Sequence, residues 1–442
     1  MNDKDRKKVL IISYYWPPAG GGGVMRWLKM SRYLSLNNNW EPIIYTPKNA
    51  GYIVIDESAV SEVPKNIKVI QKPILEPNNF LETLGLNKLK KNVSAGGVGK
   101  KKGKMSISEK LMLWIRSNIF IPDPRFLWIR PSVKFLKEVI KKEKIDAIIT
   151  TGPPHSMHII GLKLKKELGI PWVADFRDPW TFIDFFDDLN LSKRSLERHI
   201  NLEKSVLKNA DHLVTVSPYI ANEFKKRFNA DFDVIYNGFD PIDFEGETPK
   251  LDEKFTICHI GSLNKDRNAE VLWEAISEIT NENKEFKRDI KIQLIGSVTP
   301  ELMSSIESLA LKEIISIQEH MSHKKVIKRI RKSQLLLLLI NNTPIAKGIL
   351  PGKFYEYLAA KRPILCIGAP DSDVAKIINE CNAGDVVDFT DKERMKKILL
   401  TSYLEFKESG RLSCNTNNIE VFSRKGEALQ FANILSSITS NT

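Results

Sequence analysis

The chain has 442 residues, of which 42% are hydrophobic and 27% charged, and its formal net charge is +13 at pH 7. This length allows two domains with sizeable cores, and the composition excludes a disordered or fibrous protein. The excess of positive charge favours an anionic partner, whether nucleotide phosphates, a phospholipid surface or nucleic acid.

The cysteines and the N-terminal residues indicate the cellular compartment of the protein. Four cysteines are scattered along the chain without a CxxC pair, which argues against a disulfide framework and against a metal site. The N-terminus leads into a strand without an apolar signal segment, and no window approaches about 18 apolar residues. We therefore expect a cytoplasmic protein, either free or peripheral on the inner face of the cell membrane.

The first half of the chain alternates strands with helices. Strands are predicted at 9–13, 42–46, 67–70, 145–151, 171–174 and 212–216, and helices at 24–34, 106–120, 131–142, 155–168 and 195–208. Solidly apolar strands between helices predict a parallel sheet covered on both faces. The Lys-, Gly- and Ser-rich segment at about 86–106 is predicted to be a disordered basic loop.

A polar linker at 243–253 precedes a second series of strands and helices. Its strands are predicted at 255–260, 290–295, 314–317, 335–340 and 363–367, and its helices at 269–280, 300–309, 324–333, 353–360 and 372–381. A last helix spans about 423–438. The expected α/β architecture has two Rossmann-like doubly wound domains, at 1–244 and 245–422, and a C-terminal helix, at 423–442, that packs back toward the first domain.

Four glycines at 20–23 follow the first strand and open the first helix, where Rossmann folds place a phosphate-binding turn. The pattern is not GxGxxG, and Thr46 ends the second strand where a dinucleotide site would have an acidic residue. Gly22 and Gly23 allow a ligand to approach the backbone closely, although a plain surface loop is the alternative. Arg26 on the adjoining helical turn could reach an anion or lie on the surface.

Two further loops of the first half follow predicted strands. His155 opens a helix, so its imidazole could touch a ligand or could serve as a structural group. Three charged residues come directly after the strand that ends near 174. Asp175 or Asp178 could bind sugar hydroxyls, or the acidic residues could form a buried pair through Arg177.

In the second half, a turn at Gly261 follows the first strand and carries Lys265 and Arg267. These cations could clamp a diphosphate together with Lys353, or they could be a solvated basic turn.

The segment around 348–367 is the most informative of the chain. Pro351 and Gly352 form a turn, and the helix that follows directs free backbone N–H groups and a positive dipole end outward, which suits a phosphate. Lys353 and Glu356 share one helix face. A cation beside the phosphates and a carboxylate beside a ribose would suit a nucleoside diphosphate, whereas a solvated Lys–Glu pair is the alternative.

Together these motifs resemble the GT-B fold retaining glycosyltransferases of the group 1/family 4 type, in the branch of bacterial surface-polysaccharide transferases. The resemblance rests on Tyr-Tyr-Trp-Pro-Pro-Ala-Gly-Gly-Gly-Gly from Tyr14, Asp-Phe-Arg-Asp-Pro-Trp from Asp175, Val-Ile-Tyr-Asn-Gly-Phe-Asp from Val234, Gly-Ser-Leu from Gly261 and Lys-Phe-Tyr-Glu-Tyr-Leu-Ala-Ala from Lys353. It implies two Rossmann-like domains facing across a cleft, with the acceptor on the first domain and the nucleotide sugar on the second.

The resemblance also implies roles for residues. Glu356 would bind the ribose hydroxyls, and Arg267 and Lys353 would be catalytic through the diphosphate, with Asp178 and His155 as further catalytic candidates. The implied substrate-binding set is Gly22, Gly23, Arg26, Gly261, Ser262, Asn268, Leu350, Pro351, Gly352 and Glu356.

Two positions depart from the family pattern. The family often carries a second Glu eight residues before Glu356, where this chain has Gly348. The Leu350-Pro351-Gly-Lys353 sequence instead resembles a branch of aminosugar transferases that lacks this Glu. Ser262 stands where an Arg is common. The nucleotide half of the donor site is therefore predicted, and the donor sugar is left open.

The implied reaction moves a hexose or aminohexose, with retention, from a nucleotide-diphosphate sugar to a saccharide or polyprenyl-linked acceptor in cell-surface polysaccharide, such as lipopolysaccharide, biosynthesis. We expect no cofactor and no metal, because Asp371 and Asp373 stand where a helix N-cap is the better interpretation.

Other functions are the alternatives. A GT-B-fold nucleotide-sugar epimerase or hydrolase would need more carboxylates, and a non-catalytic anion-binding protein would match the charge. Nucleic acid is not expected as a partner, because the positive charge clusters in one loop without interleaved aromatic residues. The basic loop and the helix after it could hold an anionic bilayer, or they could be a solvated loop and an ordinary core helix.

Overall fold

The computed structural model describes residues 6–37, 39–76, 107–183, 186–318 and 321–440. They form two compact units, of which the first takes its residues from Met1–Val216, Ile220–Tyr236 and Arg424–Thr442 and the second from Ser217–Tyr219 and Asn237–Ser423. The predicted basic loop at about 86–106, with its proposed membrane role, lies outside the described residues. In the described parts of the chain, no helix has the length and apolar character needed to cross a membrane.

The first unit contains a seven-stranded sheet whose recorded pairings are all parallel. Its strands are β1 (Lys7–Ile12), β2 (Trp40–Pro47), β3 (Lys68–Lys72), β4 (Ala147–Gly152), β5 (Trp172–Phe176), β6 (His212–Thr215) and β7 (Asp233–Val234), in the order β3-β2-β1-β4-β5-β6-β7. Every residue of β4 and β5 is buried, as expected for parallel strands inside a layered fold.

Helices follow most of these strands. They are α1 (Gly22–Asn37), α2 (Ile107–Asn118), α3 (Ile129–Glu143), α4 (Ser156–Leu168), α5 (Lys193–Asn209) and α6 (Pro218–Phe228).

The second unit contains a six-stranded parallel sheet in the order β10-β9-β8-β11-β12-β13. Its strands are β8 (Phe255–Ile260), β9 (Ile290–Ile295), β10 (Ile315–Gln318), β11 (Leu335–Leu339), β12 (Ile364–Ile367) and β13 (Gly384–Val387). Its helices are α7 (Glu270–Glu282), α8 (Lys284–Asp289), α9 (Pro300–Ser308), α10 (His323–Lys332), α11 (Gly352–Ala360), α12 (Asp373–Glu380) and α13 (Lys392–Ser409). The prediction of two parallel α/β sheets is confirmed.

The last helix of the chain, α14 (Arg424–Ser440), belongs to the first unit. The ring of Phe431 meets the indole of Trp27 on α1 edge-to-face, with ring centroids 4.9 Å apart. Residues of α1, β1, β4 and α14 share one buried apolar cluster. The final helix therefore completes the core of the unit in which the chain begins.

Each sheet has a point at which the strand order reverses, between β1 and β4 in the first unit and between β8 and β11 in the second. Ligands of open α/β sheets bind beyond the carboxyl ends of the strands at such points. The glycines at 20–23 follow β1, and His155 follows β4. The Gly261 turn follows β8, and Asn341 follows β11. Most of the predicted site residues therefore lie at or near these two edges.

Candidate active site

The turn after β8 requires glycine. Gly261 has φ +120° and Gly296, after β9, has φ +133°, which other residues adopt only with strain. A Cβ on Gly296 would lie 2.5 Å from the carbonyl oxygen of Gly261, so the two turns touch backbone to backbone. This contact fixes the path of the chain where a ligand would meet the sheet edge.

Lys353, in the first turn of α11, reaches back to the end of β8. Its Nζ donates to the carbonyl oxygen of Ile260 at 2.6 Å and lies 3.3 Å from Nε2 of His259. The imidazole accepts this proton, because its Nδ1 donates to the carbonyl of Leu337 at 2.9 Å. An ammonium group has three donors, so one N–H of Lys353 has no partner among the described residues and is left for a ligand.

The ammonium group of Lys353 is held in surroundings that disfavour its charge. Burial, together with the nearby cation of Arg267, lowers the pKa of Lys353 to about 7. Burial and the positive charge of Lys353 also lower the pKa of His259 well below its usual value, so this imidazole is neutral. A bound anion would compensate the charge of Lys353 and favour its protonated form.

Arg267 is the second cation of this edge. Its Nε donates to Oδ1 of Asn341, after β11, at 2.6 Å, and its Nη1 lies 3.4 Å from the carbonyl oxygen of Ser262. Burial lowers its pKa as well. In the part of the chain that the structure describes, no carboxylate forms an ion pair with Arg267 or with Lys353. The predicted pair of diphosphate-facing cations is thus brought together at the point where the strand order reverses.

Glu356 lies one turn after Lys353 on α11 and is half-buried. Its Oε1 is 2.9 Å from Nε2 of His323, the first residue of α10. Sequence reasoning missed His323, because nothing in the local pattern links positions that are 33 residues apart.

The other predicted residues of the second unit divide by position. Ser262 and Gly352 are exposed, and Leu350 and Pro351 are half-buried at the start of α11. Asn268 instead hydrogen-bonds to the first turn of α7. Its Nδ2 donates to Glu270 at 2.9 Å, and its Oδ1 accepts from the indole of Trp273 at 3.3 Å. The side-chain amide of Asn268 is therefore engaged by the helix that follows it, α7.

Gly348, where the family often has a second Glu, is buried against an aromatic ring. A Cβ on Gly348 would lie 2.5 Å from Cδ1 of Tyr219 and 3.0 to 3.1 Å from two more of its atoms. The backbone N–H of Tyr219 donates to Oδ2 of Asp373 at 2.7 Å, which fixes the residue that carries the ring. Tyr219 therefore fills the space in which a longer side chain at 348 would begin.

Replacing Gly348 with Ala should lower the free energy of unfolding by about 1–3 kcal/mol, because the rigid ring of Tyr219 must move. Gly352→Ala is the matched control, since a Cβ there has open space, and adding Tyr219→Ala should remove the clash caused by Gly348→Ala. Urea unfolding measures all three variants. Equal stability of the Gly348 and Gly352 variants would contradict this packing.

In the first unit, Arg26 is wholly buried and does not face a ligand. Its Nε and Nη2 donate to the carboxylate of Asp175 at 3.0 and 2.9 Å, and its Nη1 donates to the carbonyl of Tyr236 at 2.6 Å. Asp175 also accepts from Trp27 and Thr151, each at 3.0 Å. The sequence predicts Arg26 beside an anion or on the surface, and offers Arg177 as the partner of a buried acid. The structure corrects both points, because it buries an Arg26–Asp175 pair.

Arg177 and Asp178 lie in the loop after β5 and pair with each other at 2.9 Å. Their side chains are 18% and 40% exposed, so both remain accessible, unlike Asp175. A Cβ on Gly23 would lie 2.3 Å from Nη1 of Arg177. The glycine loop is therefore placed against this guanidinium, and Gly23 leaves the room that it needs.

The glycine loop lines a pocket of about 300 Å³ in the first unit, together with Arg177, Arg125, Tyr14 and Tyr52. Gly22 is exposed at its edge. The guanidinium carbon of Arg125 lies 4.5 Å from the ring centre of Tyr14, and Nε of Arg125 pairs with Glu76 at 2.9 Å. The sequence did not point to Tyr52, Glu76 or Arg125, because these residues come from loops that share no periodic pattern.

His155 is buried after β4 rather than open to solvent. Its ring stacks on the indole of Trp180 with centroids 4.7 Å apart, and its Nδ1 has no hydrogen-bond partner among the described residues. Burial is the main reason that the pKa of His155 lies well below its usual value. The neighbouring His158 also has its pKa lowered, to about 3, by burial. His155 is therefore a neutral imidazole with one unused nitrogen.

No group of three His, Cys, Asp or Glu side chains that could hold a metal ion occurs in the described ranges of the chain. The two edges instead present guanidinium, ammonium, carboxylate and imidazole groups with glycine-rich backbone. These groups bind anions and hydroxyls.

Residues 102–242, less than half of the chain, match the model of Glycosyltransferase Family 4. Sucrose-phosphate synthase from Thermosynechococcus elongatus is 12% identical with a TM-score of 0.61, and the match covers 99% of this chain and 100% of that one. Anabaena HepE in complex with UDP-glucose is 12% identical with a TM-score of 0.55, over 98% and 97% of the chains.

WaaG, a glycosyltransferase involved in lipopolysaccharide biosynthesis, is 13% identical with a TM-score of 0.51, over 98% of both chains. A search of curated protein sequences returned no significant match. The chain has the GT-B fold. The fold class predicted from the sequence is confirmed, and the family-model match over residues 102–242 agrees with the predicted resemblance to glycosyltransferases. The Gly261 turn and the start of α11 belong to the second Rossmann-like unit.

Proposed function

We propose that this protein is a glycosyltransferase that takes a hexose or aminohexose from a nucleotide-diphosphate sugar and transfers it with retention to a saccharide or lipid-linked acceptor. The observation that carries the proposal is the pair of cations, Lys353 and Arg267, that stands without carboxylate partners among the described residues beside the first turn of α11. Glu356 follows one turn later on the same helix. A diphosphate and a ribose need this combination of groups.

The chemistry follows from where charge develops. Departure of a nucleoside diphosphate builds negative charge on its β-phosphate, and fixed cations with helix N–H groups stabilise that charge. Lys353 becomes more fully protonated as the diphosphate arrives, because the anion offsets the cost of its burial. In a front-face reaction the departing phosphate oxygen takes the acceptor proton, so the scheme assigns no protein base.

The donor class has support from the fold comparison. Solved structures of Anabaena HepE are complexes with UDP, with UDP and glucose, or with UDP-glucose. We extend the class, a nucleotide-diphosphate sugar, to this chain, and leave the base and the sugar open. The ring of Tyr219, which lies against Gly348, would form part of the wall that the donor sugar contacts.

The acceptor is assigned to the pocket of the first unit. The ring of the half-buried Tyr52 offers an apolar surface to a sugar, and the Arg177–Asp178 pair offers both donors and acceptors for its hydroxyls. Ile53, Val54 and Ile55, beside the glycine loop, are 65%, 56% and 53% exposed. These apolar side chains support a lipid-linked acceptor and a peripheral position on a membrane, as expected for polysaccharide assembly.

Replacing Glu356 with Ala should weaken binding of the matching nucleoside diphosphate about 10- to 100-fold, because hydrogen bonds from ribose hydroxyls to a carboxylate contribute about 1.5–3 kcal/mol. Isothermal titration calorimetry measures the dissociation constant. Glu301→Ala, an exposed change of the same type on α9, should leave it unaltered. Equal affinities of the native protein and the Glu356 variant would remove this residue from the site.

Transfer itself is tested with a panel of nucleotide sugars and polyprenyl-linked saccharides. The proposal expects release of nucleoside diphosphate that depends on the acceptor, and a product whose anomeric configuration, read from proton coupling constants, matches that of the donor. Release that ignores the acceptor would favour a hydrolase or epimerase, and an inverted product would contradict retention.

A further inference from the structure

The second unit contains a larger pocket that the proposed reaction does not use. It has a volume of about 790 Å³, within the range of small-molecule sites. Four cations line this cavity, which is therefore termed the basic pocket: Arg331, Lys361, Arg362 and Arg411. Phe239 and Phe244, whose rings meet edge-to-face at 5.9 Å, form part of an apolar wall. Among the described residues, no Asp or Glu lines it.

The cations of the basic pocket lack carboxylate partners. No described carboxylate forms an ion pair with Arg331, Lys361 or Arg411. Elsewhere in the same unit, Lys392 and Lys396 do have a carboxylate partner, since they contact Glu278 at 2.7 and 2.9 Å. The pocket therefore brings four cations together without a carboxylate among the described residues that line it.

Arg362 is the most deeply placed cation, with 9% of its surface exposed. Its guanidinium donates to neutral oxygens, the carbonyls of Ser333, Gln334 and Leu412 at 3.0, 3.2 and 3.2 Å. Burial lowers its pKa. Glu405 lies near enough to influence Arg362, but its Oε1 accepts from the backbone N–H and the hydroxyl of Ser413, each at 2.6 Å.

Helix ends explain part of this charge but not all of it. Three helices, α10, α11 and α13, end within two residues of a cation of the basic pocket, and a helix C-terminus attracts positive charge. Each such end carries about half a negative charge, so three ends offset about one and a half of the four positive charges. The remaining excess is about two and a half positive charges, which a phosphate or diphosphate group can offset.

We propose that the basic pocket binds a phosphate-bearing anion, a phosphomonoester or diphosphate group that belongs either to a soluble metabolite or to a lipid headgroup. The guanidinium groups of Arg331 and Arg411 provide forked donors for phosphate oxygens, and Nη1 of Arg362, whose Nε and Nη2 donate to carbonyls, adds a further donor. The apolar wall at Phe239 and Phe244 accommodates the rest of the molecule. This site is separate from the donor site at Lys353 and does not depend on the proposed reaction.

Cys414 makes the proposal testable without an activity assay. It lines the pocket and is half-buried, whereas Cys258, Cys366 and Cys381 are buried. The rate of its alkylation by neutral iodoacetamide, followed by mass spectrometry, should fall at least threefold and saturably when inorganic pyrophosphate is added at constant ionic strength. The same protection should appear in Lys353→Met, since that change disables only the donor site.

Matched charge reversals locate the effect. Arg331→Glu combined with Arg411→Glu should abolish the protection, whereas Lys284→Glu combined with Lys397→Glu, the same charge change at exposed positions outside the pocket, should retain it. If the double variant does not fold, Arg411→Gln alone, a milder change at an exposed position, takes its place and should weaken the protection.

The source of the phosphate is decided by a second arm with vesicles. Protection by pyrophosphate supports a soluble ligand, and protection only by phosphatidylglycerol vesicles, but not by phosphatidylcholine vesicles, supports a lipid headgroup. Absence of protection in both arms would overturn the proposal. Protection that survives Arg331→Glu with Arg411→Glu would overturn it as well, and would leave these cations the sole role of stabilising helix ends.

Discussion

Replacing Lys353 with Met should lower kcat about 10²- to 10³-fold, because the variant loses a fixed cation aimed at the charge that develops on the leaving diphosphate. The methionine keeps most of the side-chain volume, so the unfolding curve should hardly change. Lys284→Met, at an exposed lysine of the same unit, is the control and should keep native activity. Native turnover in the Lys353 variant would contradict the assigned role.

The same residue gives the site a pH dependence. Because the pKa of Lys353 in the free protein is about 7, the ammonium form is the minor species at pH 8.5 and the major one at pH 6.5. Only the charged form attracts the diphosphate, so binding must carry the cost of protonation as the pH rises above 7. The dissociation constant of a nucleoside diphosphate should rise about tenfold between pH 7 and pH 8.5.

Calorimetric titrations at several pH values in matched buffers measure this effect. In Lys353→Met the dissociation constant should be larger throughout and nearly flat over the same range. A native protein whose affinity is constant from pH 6.5 to pH 8.5 would show that Lys353 does not change its charge on binding.

Replacing Asp175 with Ala should lower the free energy of unfolding of the first unit by about 3–5 kcal/mol. The reason is that Arg26 would be left as a buried guanidinium without its counter-charge, and Trp27 and Thr151 would each lose an acceptor. Urea unfolding followed by tryptophan fluorescence measures the loss.

Two variants delimit this effect. Asp178→Ala removes an accessible acid of the same loop and should change the free energy of unfolding by less than about 1 kcal/mol. Exchanging the buried pair for apolar side chains, Arg26→Met with Asp175→Leu, should recover much of the stability lost in Asp175→Ala. If Asp175→Ala and Asp178→Ala were equally stable, the buried pair would not support the fold as described.

The parallel sheets could be predicted because their strands are locally apolar and bounded by turns. Val9 to Ile12 and Leu335 to Leu339 are buried and are recognisable as runs of four and five consecutive apolar residues. Four elements were missed: α6, α8, β13 and α13. Two of the four residues of β13 are exposed, so it lacks an apolar run. The buried Met395, Leu399, Tyr403 and Phe406 of α13 do follow a helical spacing, which could have indicated this helix.

The chemistry of the donor half of the site could also be anticipated, because Lys353 and Glu356 lie three residues apart on one short helix. The contacts that define the pocket and the buried ion pair of the first unit join residues far apart in sequence. Arg26 meets Asp175 across 149 positions, and Arg125 meets Tyr14 across 111. A charged residue in isolation does not show whether its partner is a ligand or a distant side chain, which is why Arg26 was placed wrongly.

Thermal unfolding of the native protein with a panel of nucleoside diphosphates and nucleotide sugars tests the central claim most directly. A ligand present at 100 times its dissociation constant stabilises the folded state by about 2.7 kcal/mol. We predict that at least one nucleotide of the panel raises the Tm of the native protein and that the shift is much smaller in Lys353→Met and in Glu356→Ala. A panel without any shift, or a shift of equal size in all three proteins, would contradict it.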